Sequence, residues 1–307
     1  MTSSEYFGKW LLLKKAKLAP TTYASYCDVV KRIIDPYFGE MELDAITPFE
    51  VELFLGGLLD AGSAPETVKR VYAVFRSALT KAAKLGLISA PPTGRDKIDP
   101  LPRGKNETEI YSLDEVQRIL DVLQDEPLQW RAFFRTALDS GARRGELVAL
   151  QWHDLEGDIC HIRRAAYKLP KQPAATKPPK SGQTRSVHLT RATVAALEQL
   201  RREQRKSCLR SGSGWSSRLF VFGSCGRMLH PTTPTKRWRE FLQRNDLPRR
   251  PLHALRHTSA TLLLSHGVDI KTVSGRLGHS SLEVTQLYLH LIGEADKIAA
   301  EIMEGIL

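Results

Sequence analysis

Residues 253–290 read HALRHTSATLLLSHGVDIKTVSGRLGHSSLEVTQLYLH, and this stretch decides how the rest of the chain is read. It places His253 and Arg256 three residues apart, then a Gly278-His279 pair, then Tyr288 nine residues later. Residues three apart share one face of a helix, so one phosphate could meet both His253 and Arg256. Two imidazoles, a guanidinium and a phenol are the groups that a phosphate-handling site needs when its nucleophile is tyrosine. Two blander readings compete. Tyr288 lies between Leu287 and Leu289 and could simply pack; His253 and His257 stand four apart and could hold a metal. A helical zinc pair needs H-E-x-x-H, whereas Ala254, Leu255 and Arg256 intervene here, and a guanidinium repels a cation beside it. No metal is expected.

The charge of the whole chain points the same way. Lys and Arg number 45 against 34 acids, a net +11 in 307 residues, with an isoelectric point near 9.5. Such a surplus suits a polyanion, either nucleic acid or an anionic membrane surface. The longest apolar runs, Leu11–Leu13 and Leu262–Leu264, are far too short to span a membrane, and MTSSEYFGKW lacks the layout of a signal peptide. The cysteines Cys27, Cys160, Cys208 and Cys225 form no C-x-x-C pair, which excludes a zinc ribbon or a disulfide framework and places the protein in a reducing compartment, the cytoplasm. The partner expected is double-stranded DNA.

The length allows two domains, each with its own core. Residues 1–90 read as helices only. Pro20 opens a segment with Tyr23, Tyr26, Val30, Ile33 and Ile34 at helical spacing, and Thr47 stands as N-cap before Pro48. A further helix carries Val68, Val71, Phe75, Leu79 and Ala82 on one stripe and Lys69, Arg70, Arg76, Lys81 and Lys84 on the other. A charged face is ordinarily just solvated; in a chain this basic it is also a candidate DNA-facing surface. Residues 91–109, rich in proline and nearly free of apolar side chains, read as a linker. Residues 110–307 begin with a capping box at Ser112 and Glu115, continue through helices to Gly141, then two strand-like runs over 158–164 and 184–189. A Pro- and Lys-rich segment separates those strands. The apolar run Leu219–Phe222 reads as a third strand, and helices fill the remainder. The expected class is mainly α with a small β-sheet (α+β).

Four pieces of the second domain carry residues capable of chemistry. Ser140-Gly-Ala-Arg-Arg-Gly-Glu146 puts Arg143 at a helix start; Lys180-Ser-Gly-Gln-Thr-Arg-Ser-Val187 puts Lys180 on a hairpin leading into a strand; His253-Ala-Leu-Arg256 and Leu277-Gly-His279 with Tyr288 complete the set. Alone, each would pass for surface charge or packing. Together, and in this order, they resemble the signature of the tyrosine recombinase family, the phage integrases and Xer-type recombinases. The helical first domain fits, with its Thr22 to Tyr26 start and its Pro36-Tyr-Phe-Gly39 turn. The likeness covers nearly the whole chain. Lys177 competes with Lys180, but the distance from Lys180 to the strand beginning at Arg185 matches the family's spacing. Some members carry an extra N-terminal domain for accessory sites, and this sequence opens at the core-binding segment.

The resemblance implies a helical core-binding domain, a mixed α/β catalytic domain, and DNA cleavage through a 3′-phosphotyrosyl intermediate. Arg143 and Arg256 would hold the scissile phosphate, His253 would take the proton of Tyr288, His279 would donate to the phosphate, and Lys180 would protonate the leaving 5′ oxygen. Glu146 would orient the site. No cofactor is implied. A homotetramer on DNA is implied, with the tail 294–307 docking on a neighbouring protomer, and so are accessory DNA-bending or directionality factors. Lys236, Arg237 and Arg239 join the α-helical lysines and arginines of the first domain as DNA contacts that position rather than specify. The alternatives are a type IB topoisomerase, which would relax arbitrary plasmids, and a non-catalytic DNA-binding relative, which would be expected to have lost at least one reactive residue.

Overall fold

The computed structural model describes residues 1–94, 96–102, 109–180, 182–224, 227–278 and 285. The chain folds as two units, Met1–Glu107 (with Leu169–Lys171) and the remainder from Thr108.

The first unit is helical. α1 (Ser3–Lys15) starts with a Thr2/Glu5 capping box, and α2 (Pro20–Val29) begins on its proline, whose missing N–H is an unused donor at that position. A single π-type turn, Val30–Ile34, joins α2 to α3 (Asp35–Phe38). Thr47 caps α4 (Pro48–Asp60) by accepting from the Glu50 N–H, and α5 (Pro65–Lys84) follows. The stripe on α5 is buried as the spacing predicts, with Val68, Val71, Phe75, Leu79 and Ala82 fully enclosed. Phe38, Phe54 and Phe75 meet in one aromatic cluster, with ring centroids 4.7–6.0 Å apart.

The segment read as a linker from residue 91 is in part folded against this unit. Ile88 and Ile98 are buried, Leu101 packs on the same core, and the Tyr72 hydroxyl donates to Thr93 O at 3.2 Å. The Asp99 N–H donates to Glu52 Oε1 at 2.9 Å. Two isoleucines suffice to anchor a proline-rich segment whose composition otherwise signals a spacer.

In the second unit α6 (Leu113–Val122) starts at the Ser112/Glu115 capping box. α7 (Leu128–Ser140) and α8 (Arg144–Val148) lead into β1 (Leu155–Glu156), β2 (Ile159–Ile162), β3 (Ala165–Tyr167), β4 (Ala175–Lys177) and β5 (Arg185–His188). β1, β2 and β5 form an antiparallel sheet in which Cys160 faces Val187. β3 and β4 form a separate hairpin inside the Pro- and Lys-rich segment, where no alternation of apolar residues announces it. α9 (Arg191–Arg210) packs along α7; the two-residue strands β6 (Gly223–Ser224) and β7 (Arg227–Met228) pair; α10 (Thr233–Arg244), α11 (Ala254–Ser265) and α12 (Ile270–Leu277) follow. The run Leu219–Phe222 is not a strand. It makes one bridge, Gln151 with Phe220, and buries Val221 and Phe222 as a single core-filling segment. Its apolar character serves packing and not a ladder. Among the described residues no helix is long and apolar enough to cross a membrane.

Candidate active site

α7 ends because Gly141 turns into the left-handed region at φ 61°, where a side chain is strained. A Cβ at Gly141 would also stand 2.5 Å from Leu277 Cδ2, so α12 approaches closely here. Two residues later Arg143 opens α8. Its N–H donates to Glu146 Oε2 at 2.9 Å and its Nη1 to Glu146 Oε1 at 3.1 Å. Glu146 also receives both guanidinium prongs of Arg185, at 2.7 and 3.2 Å. The Glu146 side chain is 1% exposed. Burial pushes its carboxyl upward, but the bonds and charge of Arg185, then of Arg143, overcome that and hold it below the usual carboxylate range.

The C-terminus of α12 gathers three arginines. Arg185 Nε donates to Arg276 O at 2.8 Å, Arg256 Nη2 to Leu277 O at 2.8 Å, and Arg143 Nη2 to Gly278 O at 3.3 Å. The last carbonyls of a helix have no partner within it and carry partial negative charge, so guanidinium donors belong there. Arg256, on α11, is buried and reaches back to Gly141 O at 2.7 Å through Nη1.

Arg143, Arg144, Thr235, Leu252, His253 and Arg256 help to line a cleft of about 370 Å³. His253 is an exposed member of that lining, its ring edge-on to His257 at 4.6 Å. Desolvation against its neighbours, then the charges of His257, Arg256 and Arg143, pull the His253 pKa down to about 4. Desolvation and Arg256 lower His257 as well. An imidazole lowered in this way is neutral at pH 7 and has a lone pair to accept a proton.

The structure thus brings together Arg143, Glu146, His253 and Arg256 of the expected set. Lys180 lies exposed in the turn after β4, where Gly182 N–H donates to Pro179 O, and Lys177 sits 5.3 Å over the Tyr167 ring. The residues lining the cleft include neither lysine. His279, Tyr288 and the tail 294–307 lie outside the described residues. Arg185 was not among the expected site residues. Its signal is positional: it shares a strand face with buried Val187, and an arginine on a core-facing register needs a buried acid.

Of the candidate DNA contacts, Arg76, Lys81 and Lys84 line a shallow groove on the first unit together with Lys14, which the sequence did not single out. Lys69 pairs with Glu66 at 2.7 Å, while Arg70 is exposed. On α10, Lys236 and Arg237 both face Glu240, at 3.7 and 3.4 Å, and Arg239 is exposed. Among the described residues no three His, Cys, Asp or Glu side chains gather as a metal-ligand set.

Comparison with known proteins decides the family. The sequence pattern of the "Phage integrase family" matches residues 110–294, and that of the "Phage integrase, N-terminal SAM-like domain" matches residues 2–59. The chain belongs to the phage integrase family. This integrase-family chain is 27% identical to a XerC-like tyrosine recombinase of Caldanaerobacter subterraneus, over 100% of its own length and 83% of the relative's. Among solved structures it resembles the Tn1549 transposon integrase in complex with a circular intermediate DNA, with TM-score 0.84, 16% identity and full coverage of both chains. It also resembles the lambda integrase tetramer bound to a Holliday junction, with TM-score 0.70 and 18% identity over 94% of this chain and 77% of that one. These two likenesses concern the fold.

Proposed function

We propose that this protein is a site-specific DNA recombinase that integrates or excises a mobile element, with Tyr288 as nucleophile. One observation carries the reading: Arg143 and Arg256, from separate elements, converge with a neutral His253 on one cleft. Two guanidinium forks suit the non-bridging oxygens of a phosphodiester, where charge builds in the transition state. The Tyr288 oxygen attacks phosphorus while His253 accepts its proton, the bond to the 5′ oxygen breaks, and Lys180 protonates that oxygen. A 3′-phosphotyrosyl link and a 5′ hydroxyl result. A second 5′ hydroxyl reverses the step on a new strand, so the bond energy is conserved and neither ATP nor a metal is consumed. His279 donates to the same phosphate. The groove of Arg76, Lys81 and Lys84 and the α10 cations grip the DNA backbone, four copies form the synapse, and the reaction takes place in the bacterial cytoplasm.

The test uses nicked duplexes recovered from a random-sequence pool by binding to the full chain. A covalent protein–DNA adduct that is lost in Tyr288→Phe is the expected result. An adduct that survives this substitution, or none from the wild type, overturns the reading. Relaxation of any supercoiled plasmid would favour a type IB topoisomerase instead.

A further inference from the structure

Arg185 takes no part in the chemistry above, yet the arginine that does rests on it. It projects from β5 with its side chain 8% exposed and divides its donors between two elements. Its two terminal nitrogens grip Glu146, and its Nε donates to the carbonyl of Arg276 at 2.8 Å. Glu146 in turn holds Arg143 at both backbone and guanidinium. Gly278 closes the ring from the other side: Arg143 Nη2 reaches its carbonyl, and a Cβ there would stand 2.9 Å from Arg185 Nη1 and 3.0 Å from Arg185 Cδ.

We propose that Arg185 is a positioning residue of the strand-transfer site, tying Glu146 to the C-terminal turn of α12 and thereby fixing Arg143 where the scissile phosphate binds. This inference rests on the recombinase reading above. Only arginine suits the position, because three donors in one plane must serve a carboxylate on one side and a carbonyl on the other. Lysine offers a single point of charge.

Without Arg185, Glu146 would be a buried carboxylate with Arg143 as its remaining close cation. The other groups whose charges are coupled to it are His253 on α11, which is neutral at pH 7, and Cys160 on β2, whose thiol is pushed up to about 12. Arg143 would still oppose the burial through its N–H and its charge, so the Glu146 carboxyl would titrate higher than in the wild type. Its contribution to the pH dependence shrinks. In the wild type the depressed Glu146 stabilises the fold above the unfolded carboxylate pKa of ~4.3 and loses that contribution as pH falls. In Arg185→Ala that contribution is smaller, so less stability is lost as pH falls through the carboxylate range.

The experiment compares wild type, Arg185→Ala, Arg185→Lys, Glu146→Gln and the double variant Arg185→Ala/Glu146→Gln on the selected nicked duplexes. Displacing a catalytic group by an ångström costs on the order of 10²-fold, so Arg185→Ala should slow single-turnover adduct formation by about that factor, with DNA affinity nearly unchanged. Arg185→Lys should fall between. The rate losses of Arg185→Ala and Glu146→Gln should be far from additive, because one acts through the other. Lowering the pH from 7 to 3 in melting experiments should narrow the gap between wild type and Arg185→Ala, and this readout needs no DNA. If Arg185→Ala does not fold, Arg185→Lys carries the rate and the melting comparisons. Wild-type rates with an unchanged pH profile in these variants, or additive losses, overturn the positioning role while leaving the recombinase reading intact. A wild type that forms no adduct fails the recombinase reading first.

Discussion

Glu146 and His253 show how one cluster sets two protonation states in opposite senses. Two arginines keep a buried carboxylate charged, and the same surplus of cations, with desolvation, keeps a nearby imidazole neutral. The His253 shift has a consequence for stability. Its folded pKa of about 4 lies below the unfolded value of ~6.5, so the unfolded chain binds the proton first. Stability is unaffected above about pH 6.5 and falls as pH drops from there toward 4. His253→Gln should lessen that acid sensitivity in melting curves between pH 7 and 4. Binding of a DNA phosphate adds the missing anion, so an NMR titration of His253 should give a higher midpoint in the complex than in the free protein. Gly278 is a second residue-scale test. Its φ of 67° and the 2.9–3.1 Å approach of Arg185 leave no room for a Cβ. Gly278→Ala should cost about 1–3 kcal/mol in denaturant unfolding, and slow DNA cleavage as well, because the strain falls on Arg185 and Arg143.

At the scale of elements, the caps and the termini do different work. Ser112 and Glu115 close the start of α6 on each other, and Glu115 also pairs with Arg250 at 2.9 Å. None of these three residues lines the cleft. Ser112→Ala should therefore cost about 1 kcal/mol of stability and leave the cleavage rate unchanged, as chemical denaturation and adduct assays would check. The C-terminus of α12 is different, because the Gly278 N–H caps only Ser274 O and Gly275 O, and the carbonyls of Arg276, Leu277 and Gly278 are held by arginines of the candidate site. A change there alters stability and chemistry together. In the first unit α5 is the central element: Phe75 is fully buried and meets three other aromatic rings. Phe75→Ala should destabilise by about 3–5 kcal/mol in the same measurement.

For the whole molecule the governing quantity is the net charge of +11. DNA binding driven by phosphate neutralisation weakens linearly in log affinity with log salt, by about 0.9 per phosphate contact. Lys81→Ala and Lys84→Ala should each lower that slope by roughly 1 and weaken binding to selected and unrelated duplexes alike, because backbone contacts carry no sequence information. A salt titration of binding by either variant that matches wild type would remove that groove from the DNA interface.

Much of this protein is determined locally and can be read from the chain. The helix starts at Thr47 and Ser112, the stripe on α5 and the turn at Gly141 follow from side-chain period, capping oxygens and the freedom of glycine. The candidate site residues Arg143, Glu146, His253 and Arg256 are legible because their types and order match a family signature. Only the tertiary structure decided what depends on distant partners. The β3–β4 hairpin has no apolar alternation and exists through mutual pairing; residues 88–94 and 96–101 fold back on two isoleucines; Leu219–Phe222 fills a core and makes no ladder. Arg185 is the clearest case. Nothing within its own strand says that a carboxylate 39 residues earlier and a helix end 91 residues later will meet at its guanidinium. A salt bridge across such separations is written in the packing of α8, β5 and α12, and sequence alone supplies only its charges.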